Sequence, residues 1–484
     1  MRRWSTQIFF TLVALLVMAS CDNAVNPSPH DDPEVDDETE DDSGDLSTVL
    51  SECDGTVDNS ALLQQMIDDT DHVIIPAGTA YTVGGVDIPS GKTISGPGVI
   101  CKSDAAPYAL RVTGSNVVVE DVVFQPMSVA GQPNCDIKLG DGARDVRIRD
   151  NHFMGKPETY SAICGADDSA VGGSEYTHRA QGVLITGNVF SQYVRPMFLH
   201  SVDNVTIQGN LIRDTTRDAI RLRENNGYVV INGNHFIEIG SDSSSVETQD
   251  AVDSFWSGTN LTISDNIVRG TESVGFDVKG VAPDGSPGSH HVIIANNQVS
   301  GTWYSAVVLH GDFDNDIANY SLLVDGNIFQ GNSRAQVLGN SAIIVKGAAR
   351  YVSISDNQIV SNTDRGITVQ TRDGTFDQSV GGVVISGNTV VNNGISGEAS
   401  SIGVNVSGVD GVILTDNMVA HDPSLPNPEQ KFGIVMSPAE TTATAVIRDN
   451  IVRCHASAQY SITGGVPATI ESENIVTDSG AICS

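Results

Sequence analysis

The chain is short of aromatic residues: 3 Trp, 10 Tyr and 13 Phe in 484 residues, 5% in all. Few bulky side chains are on hand to fill a wide interior. That scarcity, with 48 Gly, suits a fold of many turns around stacked aliphatics. Cations are also scarce, with 26 Lys and Arg against 60 Asp and Glu, for a formal net charge of -34. Such a balance disfavours nucleic acid and anionic membrane surfaces as partners. A solubilising surface explains it more simply than a high-salt habitat. No Cys-x-x-Cys spacing occurs among the 7 Cys, so the usual zinc pattern is missing. No apolar stripe at helical spacing recurs. The run from Ile8 to Met18, about eleven residues, is too short to span a bilayer.

What recurs instead is an eight-residue phrase, Val205-Thr206-Ile207-Gln208-Gly209-Asn210-Leu211-Ile212. Near copies are built around Asn188, Asn234, Asn266, Asn297, Asn327, Asn357, Asn388, Asn417 and Asn450. Apolar residues alternate on both sides of the Asn, which predicts two short, half-buried strands. The Asn is expected to take the left-handed conformation of a sharp corner and to bond the same Asn in the next unit. A period of roughly 22 to 33 residues, repeated many times, signals a solenoid. Strand alternation makes it a single-stranded parallel β-helix, all-β and monomeric.

Before the repeats, Met1-Arg2-Arg3 and the short apolar run read as a signal peptide over residues 1–20. Val17-Met18-Ala19-Ser20-Cys21 resembles a bacterial lipobox, with Met18 in place of the usual Leu. It implies lipidation of Cys21, placement in the cell envelope, and membrane contact through that lipid alone. Residues 21–47, rich in Asp, Glu, Pro and Ser, read as a disordered acidic tether. The β-helix domain is expected over 48–484. The six other Cys are expected to pair by proximity as Cys53–Cys101, Cys135–Cys164 and Cys454–Cys483, one of fifteen connectivities.

Asp58 or Ser60 can cap a helix carrying Leu62, Leu63, Met66 and Ile67. It precedes His72-Val73-Ile74-Ile75-Pro76-Ala77-Gly78 and Val86-Asp87-Ile88-Pro89. Here the chain resembles the N-terminal cap of the pectin-lyase-like right-handed β-helix superfamily. The resemblance implies a capping helix that closes one end of a right-handed solenoid.

A third strand per coil reads small-apolar-x-apolar-x, as in Ala219-Ile220-Arg221-Leu222-Arg223 and Gly275-Phe276-Asp277-Val278-Lys279. Aligning seven of these predicts two outward columns with coils about 4.8 Å apart. One runs Phe198, Arg221, Asp253, Asp277, Val308, Ile344, Thr368. The other runs His200, Arg223, Phe255, Lys279, His310, Lys346, Gln370. The scarce cations thus gather on one face, which would draw in an anionic polymer. Uronate-containing polysaccharide is the substrate class expected. Lys346, His200, Trp256, Trp303 and Tyr304 are candidate sugar contacts. Neighbouring carboxylates Asp250, Asp253 and Asp277, with Asp218 a coil below, could hold Ca2+. Arg221 and Arg223 could clamp a substrate carboxylate. Lys279 is the first candidate base for removing the proton at C5, and His310 the second.

Gln249-Asp250-x-x-Asp253 followed by Gly275-Phe276 is similar to the calcium and catalytic motifs of family 9 pectate lyases. Gln249 stands where that family has an acid. Asp277 stands at the place of its catalytic Lys, with Lys279 two residues on. The resemblance implies β-elimination by a polysaccharide lyase. A C5-epimerase, a glycoside hydrolase using an Asp pair, and a non-catalytic glycan-binding adhesin remain open.

Overall fold

The computed structural model describes residues 53 and 57–477, except 104–105, 128–134, 166–178, 225–226, 242–248, 256–259, 281–289, 312–318, 336–339, 348, 371–379, 395–400, 423–429, 438–444, 454–457, 463–467 and 471–474. Cys21, the tether, Trp256, Cys454 and Cys483 lie outside the described residues.

Every third strand pairs with its neighbour in parallel, building sheets of 15, 15 and 14 strands. Each coil contributes one strand to each sheet, so the described unit is a parallel β-helix. Apolar side chains at alternate positions fill the inside. Val183, Val205, Val229, Leu261 and Val292 stack along the first sheet and are all buried. In the second sheet Phe124, Phe153 and Phe190 stack face to face at 4.8 Å, the spacing of the coils themselves.

The expected Asn ladder lines the corner between the first two sheets. The Asn210 backbone N–H and Nδ2 both donate to Asn234 Oδ1, at 3.0 and 2.9 Å, and Nδ2 also donates to the Ile185 carbonyl at 3.0 Å. The same arrangement recurs at Asn188, Asn234, Asn266, Asn297, Asn327 and Asn388. One expectation is corrected. The left-handed residue is the one before the Asn: Gly209 has φ 61°, Gly233 62° and Asp265 57°. The corner is therefore turned one step earlier, which frees the Asn side chain to point inward.

The helix Ser60–Asp69 buries Leu63 and Ile67 while Leu62 faces solvent. It covers the first coil through polar side chains. The Gln64 amide donates to the Asp87 carbonyl and accepts from the Asp87 N–H, at 3.1 and 2.9 Å. Asn59 pairs in the same two-way fashion with Thr82, and Ser60 Oγ accepts from Gly84 N–H. Backbone groups that a terminal strand would leave open are thus satisfied. The N-cap is Asn59 rather than the expected Asp58 or Ser60; Asp58 stands one residue earlier, and its Oδ1 accepts from the Ser60 N–H at 2.9 Å. Cys53–Cys101 and Cys135–Cys164 are paired as expected, with Cα separations of 5.8 and 5.9 Å.

Candidate active site

The third-sheet register reproduces both predicted columns. Phe198 pairs with Arg221, then Asp253, Asp277, Val308, Ile344 and Thr368; His200 pairs with Arg223, then Phe255, Lys279, His310, Lys346 and Gln370. Side chains at these positions point away from the aliphatic core because their neighbours Leu222, Val278 and Leu309 point into it.

Between them runs an unbroken ladder of opposite charges. The Arg195 guanidinium meets Asp218 at 3.1 Å. The same Asp218 oxygen takes Arg221 at 2.6 Å. Arg221 reaches on to Asp253 at 3.1 Å, which also takes Arg223 at 2.8 Å. Lys279 Nζ lies between Asp253 Oδ1 at 2.8 Å and Asp277 Oδ2 at 2.7 Å. His310 Nε2 closes the series at 2.6 Å from Asp277 Oδ1. Asp218, Asp253 and Arg195 are almost wholly buried, while Lys279 and His310 keep 19% and 18% of their side-chain surface. The accessible end of the ladder is therefore Lys279 with His310.

The electrostatics bear on the first of the two candidate bases. Burial works against a charged Lys279, but Asp277 and Asp253, with Asp250 behind them, outweigh it and hold the ammonium above its ordinary range. An amine so held stays charged at neutral pH, which suits Lys279 to the part of a fixed cation. Burial likewise works to raise the Asp253 carboxyl. Lys279, Arg223 and Arg221 overcome it and keep Asp253 well below the usual carboxylate range. Asp277 is lowered in the same way: burial opposes, and Lys279 and His310 prevail. The Asp277 carboxylate, 2.6 Å from Nε2, fixes the orientation of the His310 ring.

Asp218, Asp250 and Asp253 bring one carboxylate oxygen each within 4.8 Å of one another; Asp277 is not one of the three. Their oxygens are largely spoken for. Asp218 and Asp253 meet three guanidinium groups and an ammonium, and Asp250 Oδ1 accepts from the Val274 N–H at 2.9 Å. Asp250 Oδ2 is buried without a hydrogen-bond partner. Burial, then the charges of Asp277 and Asp218, push the Asp250 carboxyl well above its usual range. Ca2+ takes six to eight oxygens at about 2.3–2.6 Å. Among the described residues these three oxygens fall short of that number, and two of the three carboxylates already meet cations.

Other expected residues are distributed as follows. Lys346 follows His310 in the same column and is half-buried. His200 is in the column but buried against Phe198, ring centroids 4.1 Å apart. Trp303 and Tyr304 are exposed but precede their strand, Val307–Gly311. At ~3.3 Å per residue they stand on the opposite margin of the sheet from His310. Arg195 and Tyr160 were not foreseen. Arg195 sits three positions before Phe198, as Asp218 does before Arg221 and Asp250 before Asp253. Extending the seven-strand alignment upstream would have found it.

Residues 108–319 match the family model for the right handed beta helix region. No curated protein matches the chain by sequence. Solved structures do match. The A-module of the Azotobacter vinelandii mannuronan C-5 epimerase AlgE4 is 15% identical, with 90% of this chain and 99% of that chain covered and a TM-score of 0.44. A tailspike protein mutant of E. coli bacteriophage HK620, in complex with a pentasaccharide, is 11% identical over 79% of this chain and 75% of its own, at a TM-score of 0.50. The catalytic unit of a GH87 α-1,3-glucanase from Streptomyces thermodiastaticus is 14% identical over 89% and 69%, at 0.42. At these identities the likeness is one of fold, a right-handed parallel β-helix.

Proposed function

We propose that this right-handed parallel β-helix is a polysaccharide lyase that cleaves a uronate-containing polymer by β-elimination. The observation that carries the reading is the His310–Asp277–Lys279 arrangement: an imidazole oriented by a carboxylate, beside an ammonium that cannot lose its proton. A uronate C5–H is weakly acidic until its carboxylate is neutralised. Lys279, with the partly exposed Arg221, supplies fixed positive charge for that carboxylate. His310 takes the C5 proton. The electron pair of the broken C–H bond forms the C4=C5 double bond, and the C4–O bond breaks with its pair going to the leaving sugar oxygen. That oxygen is then protonated, by His310 or by water. No step uses a metal ion.

Hydrolysis by the Asp253 and Asp277 pair is less well supported. A hydrolase needs one carboxyl of the pair kept protonated as the acid. Here both are held ionised, and Asp250, the alternative acid, whose carboxyl is pushed up, is fully buried. Epimerisation shares the first step and differs only in returning a proton to the other face of C5. Incubating the protein with pectate, alginate and glycosaminoglycans separates these outcomes. A lyase yields product absorbing in the ultraviolet at its unsaturated end. An epimerase yields altered uronate composition without shorter chains, and a hydrolase yields new reducing ends without absorbance. None of the three products from any uronate polymer would refute the proposal.

A further inference from the structure

An aromatic corner lies on the same outer face, on the N-terminal side of the reactive pair. Tyr160 and Phe198 meet edge to face, centroids 5.9 Å apart and planes at 88°. Both are half-buried, so each ring is seated yet presents surface. The Tyr160 ring is held from beneath. Buried Arg195 donates from Nη1 to the Tyr160 hydroxyl at 2.9 Å and lies 5.7 Å from the ring centroid. Arg195 is in turn fixed by Asp218. Locking the ring beforehand lowers the entropy lost when a ligand settles on it.

Phe198 is the direct register partner of Arg221, whose side chain keeps 14% of its surface. A perpendicular pair of rings beside a guanidinium matches a uronate: an apolar sugar face for the ring and a carboxylate for the cation. Asp218 and Asp253 hold the Arg221 guanidinium in place. We infer that Tyr160, Phe198 and Arg221 form a second sugar-binding subsite for internal uronate residues of the polymer. The inference rests on the lyase reading and extends it to the mode of attack.

Phe198 and Asp277 are three rungs apart, about 14 Å at ~4.8 Å per coil. A polymer seated in both places has sugars on the N-terminal side of the bond that breaks. Toward the other end, half-buried Lys346 and Gln370 continue the His310 column. The chain is thus gripped on both sides of the reacting residue, so cleavage is internal rather than at a chain end.

His310→Ala protein, with turnover blocked, is to be titrated calorimetrically with oligogalacturonates and oligomannuronates of two to eight residues. Affinity is expected to rise with length in at least one series. Adding Phe198→Leu, which keeps bulk and removes the aromatic face, should weaken the octamer about tenfold and leave the trimer within twofold. Tyr160→Phe should lie between, since it keeps the ring and loses its tie to Arg195. Equal loss for trimer and octamer, or no loss for either, overturns the subsite while the lyase reading stands. Absence of binding by every oligouronate overturns the lyase reading and the subsite with it.

Discussion

Two ladders of buried polar side chains climb this solenoid, and they are built on opposite principles. At the corner of the first two sheets every rung is the same neutral Asn, and each amide satisfies the next. On the outer face of the third sheet each rung differs, and charge alternates from Arg195 to His310. The uniform ladder can be extended by any number of coils. The ionic one has a beginning, an order and an accessible end. Burying a charge is costly unless it is paired, and replacing such groups with apolar ones is often neutral or stabilising. A chain that stacks valine and isoleucine so readily elsewhere gains no obvious stability from Asp253 and Lys279. Repetition marks scaffold here, and departure from repetition marks chemistry.

Substitutions in the two ladders should therefore behave differently. The largest effect is expected at Lys279→Met, which keeps the aliphatic stem and deletes the charge between Asp253 and Asp277. Leaving two buried carboxylates underpaired should lower stability by about 3–5 kcal/mol and abolish turnover. Denaturant titration and product absorbance check both, and Lys279→Arg should restore part of each. His310→Ala should lower kcat by about 10³-fold with little change in unfolding midpoint, since His310 is the accessible end of the series. Equal damage to folding would move His310 into the scaffold.

Asn266→Ala inverts that pattern. Asn266 Oδ1 accepts both the N–H and the Nδ2 of Asn234, at 2.9 and 3.0 Å. Removing it strands the buried Asn234 N–H at about 1–3 kcal/mol, while Asn234 Nδ2 keeps the Ile207 and Asn232 carbonyls, with kcat of the folded protein unchanged. A smaller effect is expected at Asp136, fully buried and bonded to the Tyr193 hydroxyl at 2.6 Å. Burial pushes its carboxyl up to about 7, against the pull of Tyr193 and Lys102. The folded state then holds the proton more tightly than the unfolded one. The stabilisation is complete below about pH 4 and lost as pH rises through about 7. Asp136→Asn, which mimics the protonated form, should flatten the fall of Tm between pH 4 and 8. Chelation should have the smallest effect of all: EDTA is expected to leave activity and Tm unchanged. A chelator-sensitive activity would restore the Ca2+ expectation for Asp218, Asp250 and Asp253.

The architecture was plain in the sequence because alternation and the Asn period are local and repeat many times. Both outward columns were legible for the same reason: one register fixes all. The corner was misread by one residue, since Asn and its predecessor Gly or Asp both tolerate positive φ and spacing does not say which one turns. The protonation of Lys279 was not legible. It depends on two carboxylates closing to within 3 Å from different coils, and on burial that opposes them. Arg195 escaped because its strand carries Phe198 and His200 where the next carries Arg221 and Arg223, so no charge pattern drew the eye upstream. Trp303 and Tyr304 looked near His310 in the chain, but strand length sets them on the far margin.

The helix Ser60–Asp69 has a consequence for how copies of this protein meet. A coil stack is a template at its ends, and one copy's open first coil would accept the last coil of another in the same parallel register. Gln64, Asn59 and Ser60 occupy that template with side-chain amides and a hydroxyl. They turn a surface that would seed filaments into a terminus. Proteins shortened to begin after Thr70 should associate through the bared first coil, with light scattering that rises with concentration, while keeping the third-sheet face intact.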